Sequence, residues 1–198
     1  LTLLFTDIVG STQLKQELGD QAAVRLIQRH HALVRELLAA YAQAEEIETA
    51  GDSFMLLFAK PSEAVRFSLL LQSQLRQLNQ KAPMPVEDRV GIHLGEVVLR
   101  EAESATQPHG FIGMAVDMCA RVMSLAQGGQ ILLTRGAFDN ARQVLKGEDL
   151  LGVGPLSWAS HGPYVLKGIE EAVEVCEVAE AARGPLNPPQ TSDKAQRK

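Results

Sequence analysis

A chain of 198 residues with 45% hydrophobic content is long enough for one domain around a sizeable core. Its net charge of −5 and pI near 5.6 argue against a nucleic-acid or anionic-membrane surface, so any phosphate ligand must be met by local groups. No apolar run reaches the ~18–20 residues that cross a bilayer and no signal peptide is visible, while two cysteines, Cys119 and Cys176, are too few for a disulfide framework and point to the reducing cytoplasm.

The chain begins at Leu1, without an initiator methionine and almost at its first strand, and so reads as a domain cut from something longer. Leu3 to Ile8 is a short apolar strand carrying Asp7, and Val9-Gly10-Ser11-Thr12 is a small-residue turn leading into a helix start. Such a turn offers several backbone N–H groups to an anion, and a carboxylate at the strand end can hold a hard cation such as Mg²⁺. The ordinary alternative is a βα turn with an N-cap. Asp20 can cap an amphipathic helix whose Val24, Ile27, Val34, Leu38 and Tyr41 recur at helical spacing. Ile47 to Thr49 then reads as a strand, Gly51-Asp52 as a hairpin turn, and Phe54 to Phe58 as the buried returning strand.

Ser62 to Gln80 makes a second amphipathic helix, ended by Ala82-Pro83-Met84-Pro85. Arg89 to Leu99 reads as one long strand whose Gly91 and Gly95 mark bulges or close backbone approach. Glu101 to His109 is a polar loop, Gly113 to Ala126 a third helix ended by Gly128-Gly129, Ile131 to Leu133 a strand, and Gly136 to Val144 a short helix. Lys146 to Pro163 reads as Gly-rich and irregular, with Tyr164 to Lys167 and Val173 to Val178 forming a closing hairpin. Residues 181–198, rich in proline and polar side chains from Gly184, read as a disordered tail on a 1–180 domain. Two hairpins among interleaved helices favour an α+β fold with a mixed, largely antiparallel sheet over a doubly wound parallel one.

Four pieces carry chemistry in a fixed order: Phe5-Thr6-Asp7-Ile8, Glu48-Thr49-Ala50-Gly51-Asp52, Arg89-Val90-Gly91-Ile92-His93-Leu94-Gly95-Glu96, and Gly113-Met114-Ala115-Val116-Asp117-Met118-Cys119-Ala120-Arg121, the last followed by Gly128-Gly129-Gln130-Ile131. Over about residues 1–180 this order and spacing resemble the catalytic domain of the class III nucleotidyl (adenylyl/guanylyl) cyclases, which make 3′,5′-cyclic nucleotides and pyrophosphate from nucleoside triphosphates. The resemblance implies a ferredoxin-like core, two Mg²⁺ or Mn²⁺ ions held by Asp7 and Asp52 with the backbone carbonyl of Ile8, and phosphate binding by Arg89, Arg121 and Lys167. Two-metal chemistry suits such a site: one ion lowers the pKa of the ribose hydroxyl and the other neutralises the leaving pyrophosphate. Residue by residue, plainer readings exist. Asp52 is also a Gly-Asp turn, Arg89 and Lys167 are also solvated strand residues, and Asp117 with Arg121 is also an i,i+4 helix pair worth ~0.2–0.5 kcal/mol. His93 is expected to pack in or beside the sheet, and Cys119 is either a small buried helix residue or an oxidation sensor.

The resemblance assigns base reading to the position of Glu48, usually Lys in adenylyl and Glu in guanylyl cyclases. A carboxylate accepts from N1–H and N2–H of guanine, whereas adenine N1 only accepts, so Glu48 predicts a GTP preference. A partner position aligns with Gly110, which has no side chain, leaving backbone, water or Phe111 to supply the second contact and making discrimination loose. Asp117 stands where the family usually has an Asn that donates to the ribose. An ionised carboxylate ~6 Å from a polyanion at an effective dielectric of ~20 costs roughly 2–3 kcal/mol, which predicts slow turnover unless Arg121 compensates. The resemblance also implies a head-to-tail homodimer, with Asp7, Asp52 and Arg89 from one chain facing Glu48, Asp117, Arg121 and Lys167 of the other, under a fused regulatory domain. The alternatives are an adenylyl cyclase acting on ATP and a catalytically impaired, nucleotide-binding regulatory homologue.

Overall fold

In the computed structural model, residues 1–100, 110–192 and 195–198 are described. The organising strand is β1 (Thr2–Ile8), which is apolar on both sides and therefore central rather than edge. It runs antiparallel between β3 (Ser53–Phe58) and β4 (Asp88–Leu94), and β2 (Glu45–Ala50) closes that edge as the hairpin partner of β3. Beyond β4 lie β7 (Ile131–Thr134), β9 (Val173–Glu180), β8 (Leu156–Leu166) and β10 (Ala195–Arg197), giving the order β10-β8-β9-β7-β4-β1-β3-β2. The β4–β7 pair is parallel and every other pairing is antiparallel, as the mixed α+β expectation requires.

Because strand side chains alternate in direction, each strand contributes to two cores. Leu4, Leu56, Phe58, Val90, Ile92, Ile131 and Leu133 face α2 (Asp20–Leu38), α3 (Pro61–Asn79) and α5 (Arg135–Leu145) in the larger core. Leu3, Met55, Leu57 and Leu132 face the other way, toward α4 (Met114–Leu125). That helix lies directly on the sheet at Gly91, where an added Cβ would come within 2.4 Å of the Met123 backbone nitrogen. A short helix, α1 (Ser11–Leu18), follows β1 through Gly10, whose φ of 70° is left-handed and suits glycine. Among the described residues no helix is long and apolar enough to cross a membrane.

Three sequence expectations are corrected. The strand expected over Arg89 to Leu99 ends at Leu94, and the chain forms a separate ribbon of β5 (Val98–Arg100) with β6 (Gly110–Ile112). The stretch expected to be irregular, Lys146 to Pro163, is strand from Leu156 onward: β8 runs from Leu156 with a bulge between Ser160 and Gly162 opposite β9, Gly162 lying at φ 87°. The tail expected to be disordered is laid against the sheet, with β10 pairing to Tyr164–Leu166. Tyr164 Oη donates to the Pro189 carbonyl at 3.1 Å and the Gln130 amide to the Asn187 carbonyl at 3.2 Å. Proline-rich composition lowers the entropy lost on ordering, and backbone carbonyls supply the anchoring that side-chain hydrophobicity does not. The polar loop predicted at Glu101 to His109 lies outside the described residues.

Candidate active site

The antiparallel register of β1 and β4 sets Asp7 opposite Arg89, both on the α4 face. Arg89 Nε donates to Asp7 Oδ1 at 2.6 Å and its Nη2 to Oδ2 at 2.9 Å, a two-pronged match of guanidinium to carboxylate. The Asp7 side chain is 13% exposed and that of Arg89 31%. Hydrogen bonding to Asp7 raises the Arg89 pKa, burial opposes this, and the charges of Asp7 and then Asp52 add to the rise, so all three residues share one electrostatic neighbourhood. Asp52 arrives from the β2–β3 turn, where Gly51 takes the left-handed φ of 64°, and its Oδ2 accepts the Ile8 backbone N–H at 3.2 Å. The two carboxylates predicted to act together, 45 positions apart in sequence, therefore converge on the end of β1.

The Val9-Gly10-Ser11-Thr12 turn is present, with one correction: the Val9 N–H is bonded to the Glu87 carbonyl at 2.9 Å and is not open to an anion. The first turn of α1 still directs the N–H groups of Ser11 and Thr12 outward, as every helix start does. Among the described residues no group of three or more His, Cys, Asp or Glu is arranged to hold a metal. Two carboxylates that gather at a backbone turn, with oxygen as the only donor atom, nevertheless fit Mg²⁺ or Mn²⁺. Such ions keep several waters and take their remaining ligands from substrate phosphates.

Among the described residues the other predicted site residues make no hydrogen bond or ion pair with this cluster. Glu48, opposite Met55 in the ladder, shares the α4 face but is exposed on the edge strand β2. Asp117 is exposed and Arg121 half-buried on α4, and Lys167 is exposed just past β8. Among the described residues none of these four side chains makes an ion pair, so the i,i+4 contact expected between Asp117 and Arg121 does not form. Gly110 and Phe111 sit in β6, paired with Arg100 and Leu99. His93 packs beside the sheet as expected, its Nδ1 2.9 Å from Thr134 Oγ1, with burial lowering its pKa. Cys119 is fully buried and donates to the Leu3 and Gly91 carbonyls at 3.3 Å, and burial pushes its thiol up to about 12, which fits the packing role and not the sensor.

Sequence reasoning missed the support behind the cluster. Asp88, 0% exposed, projects to the opposite face, where its Oδ2 accepts the Thr6 hydroxyl at 2.8 Å and lies 2.8 Å from His30 Nε2. Gln72 donates to the Asp88 carbonyl at 2.8 Å. The residues immediately before Asp7 and Arg89 are thus tied together on the far side of the sheet. Parity contains the clue: if Arg89 faces one side, Asp88 must face the buried one, and a carboxylate there requires a partner from the apolar stripe of α2, where His30 lies between Leu26 and Val34.

Residues 1–168 match the model of the adenylate and guanylate cyclase catalytic domain. The chain belongs to this family of class III nucleotidyl cyclases. It is 30% identical over 90% of its length to the receptor-type adenylate cyclase GRESAG 4.3 of Trypanosoma brucei brucei, of which it spans only 17%. An adenylate cyclase structure from Trypanosoma brucei, analysed in its monomeric state, superposes with a TM-score of 0.75 at 26% identity, covering 95% of this chain and 91% of that one. The guanylyl cyclase Cya2 shares the fold, with a TM-score of 0.73 at 24% identity over 90% of this chain and 91% of that one. Other curated relatives of similar identity are likewise named adenylate cyclases.

Proposed function

We propose that this domain converts a purine nucleoside triphosphate into its 3′,5′-cyclic nucleotide and pyrophosphate, with ATP as the first reading and GTP as the second. The observation that carries the activity is the convergence of Asp7 and Asp52 on the end of β1 beside Arg89. The names of the curated relatives favour ATP over the preference expected from Glu48. GTP is retained because Glu48 is an exposed carboxylate with no ion pair among the described residues, the group that complements guanine.

Asp7, Asp52 and the Ile8 carbonyl would hold divalent ions, which supply charge neutralisation at the triphosphate and acidify the ribose hydroxyl. Arg89, Arg121 and Lys167 bind the phosphate oxygens, and the Ser11 and Thr12 N–H groups add neutral donors. Glu48 orients the base, with backbone contacts from Gly110 and Phe111. Asp117 accepts from a ribose hydroxyl, at an electrostatic cost next to the phosphates that Arg121 offsets.

The shared-site reading is supported by Glu48, Asp117, Arg121 and Lys167 making no bond to the Asp7 cluster among the described residues. A head-to-tail homodimer in the cytoplasm supplies the missing half from a second copy, and a fused regulatory domain controls the pairing. Purified protein given Mn²⁺ with ATP or GTP should form cyclic product, more with ATP, and specific activity should fall on dilution as dimers dissociate. Absence of product from both nucleotides would leave a nucleotide-binding regulatory homologue, the reading that Asp117 favours. Full activity in a gel-filtration monomer would exclude the shared site.

A further inference from the structure

Arg89 is expected to hold phosphate, yet its Nε and Nη2 are bonded to Asp7, and each Asp7 oxygen accepts one of the two bonds. Among the described residues the Arg89 guanidinium bonds to no other side chain. The pairing is built into the fold, since Asp7 and Arg89 are register partners and the Thr6–Asp88 bond on the opposite face prevents β1 and β4 from slipping. The guanidinium itself is not locked: it ends a long, flexible stem and its side chain is 31% exposed.

We infer that Arg89 is an internal occupant of the metal carboxylate, holding Asp7 in the nucleotide-free chain and releasing it only when a triphosphate draws the guanidinium away. This rests on the reading of Asp7 as a metal ligand. A charge-assisted pair that is largely sheltered from water is costly to break when one partner is left alone. The exchange is balanced when both ligands arrive together, because Arg89 moves from carboxylate to phosphate while Asp7 moves from guanidinium to cation, and no charge is left unpaired. Metal without nucleotide must compete with Arg89 and binds weakly. Triphosphate binding and metal binding are thereby coupled through one side chain.

The test is Mn²⁺ binding to the nucleotide-free protein, titrated by the free-ion signal in electron paramagnetic resonance. Arg89→Gln should bind Mn²⁺ roughly tenfold to a hundredfold more tightly than wild type, the range set by loss of a charge-assisted hydrogen-bonded pair. Arg89→Lys, which keeps the charge but lacks the fork, should fall between the two, and it decides the matter if Arg89→Gln does not fold. Affinity in Arg89→Gln no tighter than wild type overturns the inference, and so does Arg89→Lys equal to wild type, which would reduce the effect to net charge. Adding Asp7→Asn to Arg89→Gln should abolish the gain. A gain that survives would instead show that Asp7 is not a metal ligand, and the proposed function would fail with it.

Discussion

The β1–β4 corner and the outer surface of α4 carry the same kinds of charge in opposite states. At the corner, Asp7, Asp52, Arg89 and Asp88 are each engaged by a strand neighbour, a backbone N–H or a buried partner. On α4, Asp117 and Arg121 lie one turn apart and do not pair. The contrast shows where the fold itself orders the chemistry: strand register constrains charges at the corner, whereas the helix-surface charges have no ion-pair partner among the described residues.

The largest way to break this contrast is at the corner. Asp52→Ala should lower cyclic product formation by over ~100-fold, as expected where ions worth several kcal/mol to the transition state lose a ligand, while leaving the oligomer intact in gel filtration. Asp88→Ala, behind the same corner, should cost about 3 kcal/mol in urea denaturation, because it strands Thr6 and His30 without their buried acceptor. On the outer side the effects should be smaller and one should be a gain. Asp117→Asn removes a charge next to the phosphates, keeps an oxygen that can accept from the ribose, and should speed turnover by up to the equivalent of roughly 2–3 kcal/mol, whereas a slower variant would show that the ribose contact needs the charged carboxylate. Glu48→Lys should lower the GTP-to-ATP rate ratio by about tenfold, and an unchanged ratio would remove Glu48 from base reading.

The smallest effect belongs to a surface pair. Arg35 holds Glu46 through two 2.8 Å bonds, and this, with help from Thr49 and against burial, lowers the Glu46 carboxyl from 4.5 to about 2. A depressed carboxylate contributes stability above its unfolded value that is lost as pH falls through its folded one. Arg35→Ala should therefore cost roughly 0.2–1 kcal/mol at neutral pH, and its difference from wild type should shrink as pH drops from 4.5 toward 2 in denaturant titrations.

Elements with strong periodicity were legible from the sequence: the α2 helix, α3 with its proline-bounded end, the β2–β3 hairpin and the buried β1 all fall where spacing puts them, although the buried face of α2 runs through Ala23, Leu26 and His30 and leaves Val24 exposed. Elements held by partners distant in sequence were not. The first half of β8 looks irregular until β9 lies beside it, and β10 has no strand signature apart from the β8 edge that it covers. The candidate site divides the same way. Asp7 and Asp52 could be named as a pair from their motifs, but the Arg89 fork on Asp7 depends on the β1–β4 register, a pairing across 82 positions that local pattern does not encode.

Gly91 has a mechanical consequence. With no side chain at that position, the α4 backbone rests on β4 without a cushion, and Cys119 adds two hydrogen bonds to the same seam. Sliding or rolling α4 over the sheet would drive backbone into backbone. Arg121 on the helix and Arg89 on the strand therefore move as parts of one stiff lever, and a torque applied to either end of the domain reaches both.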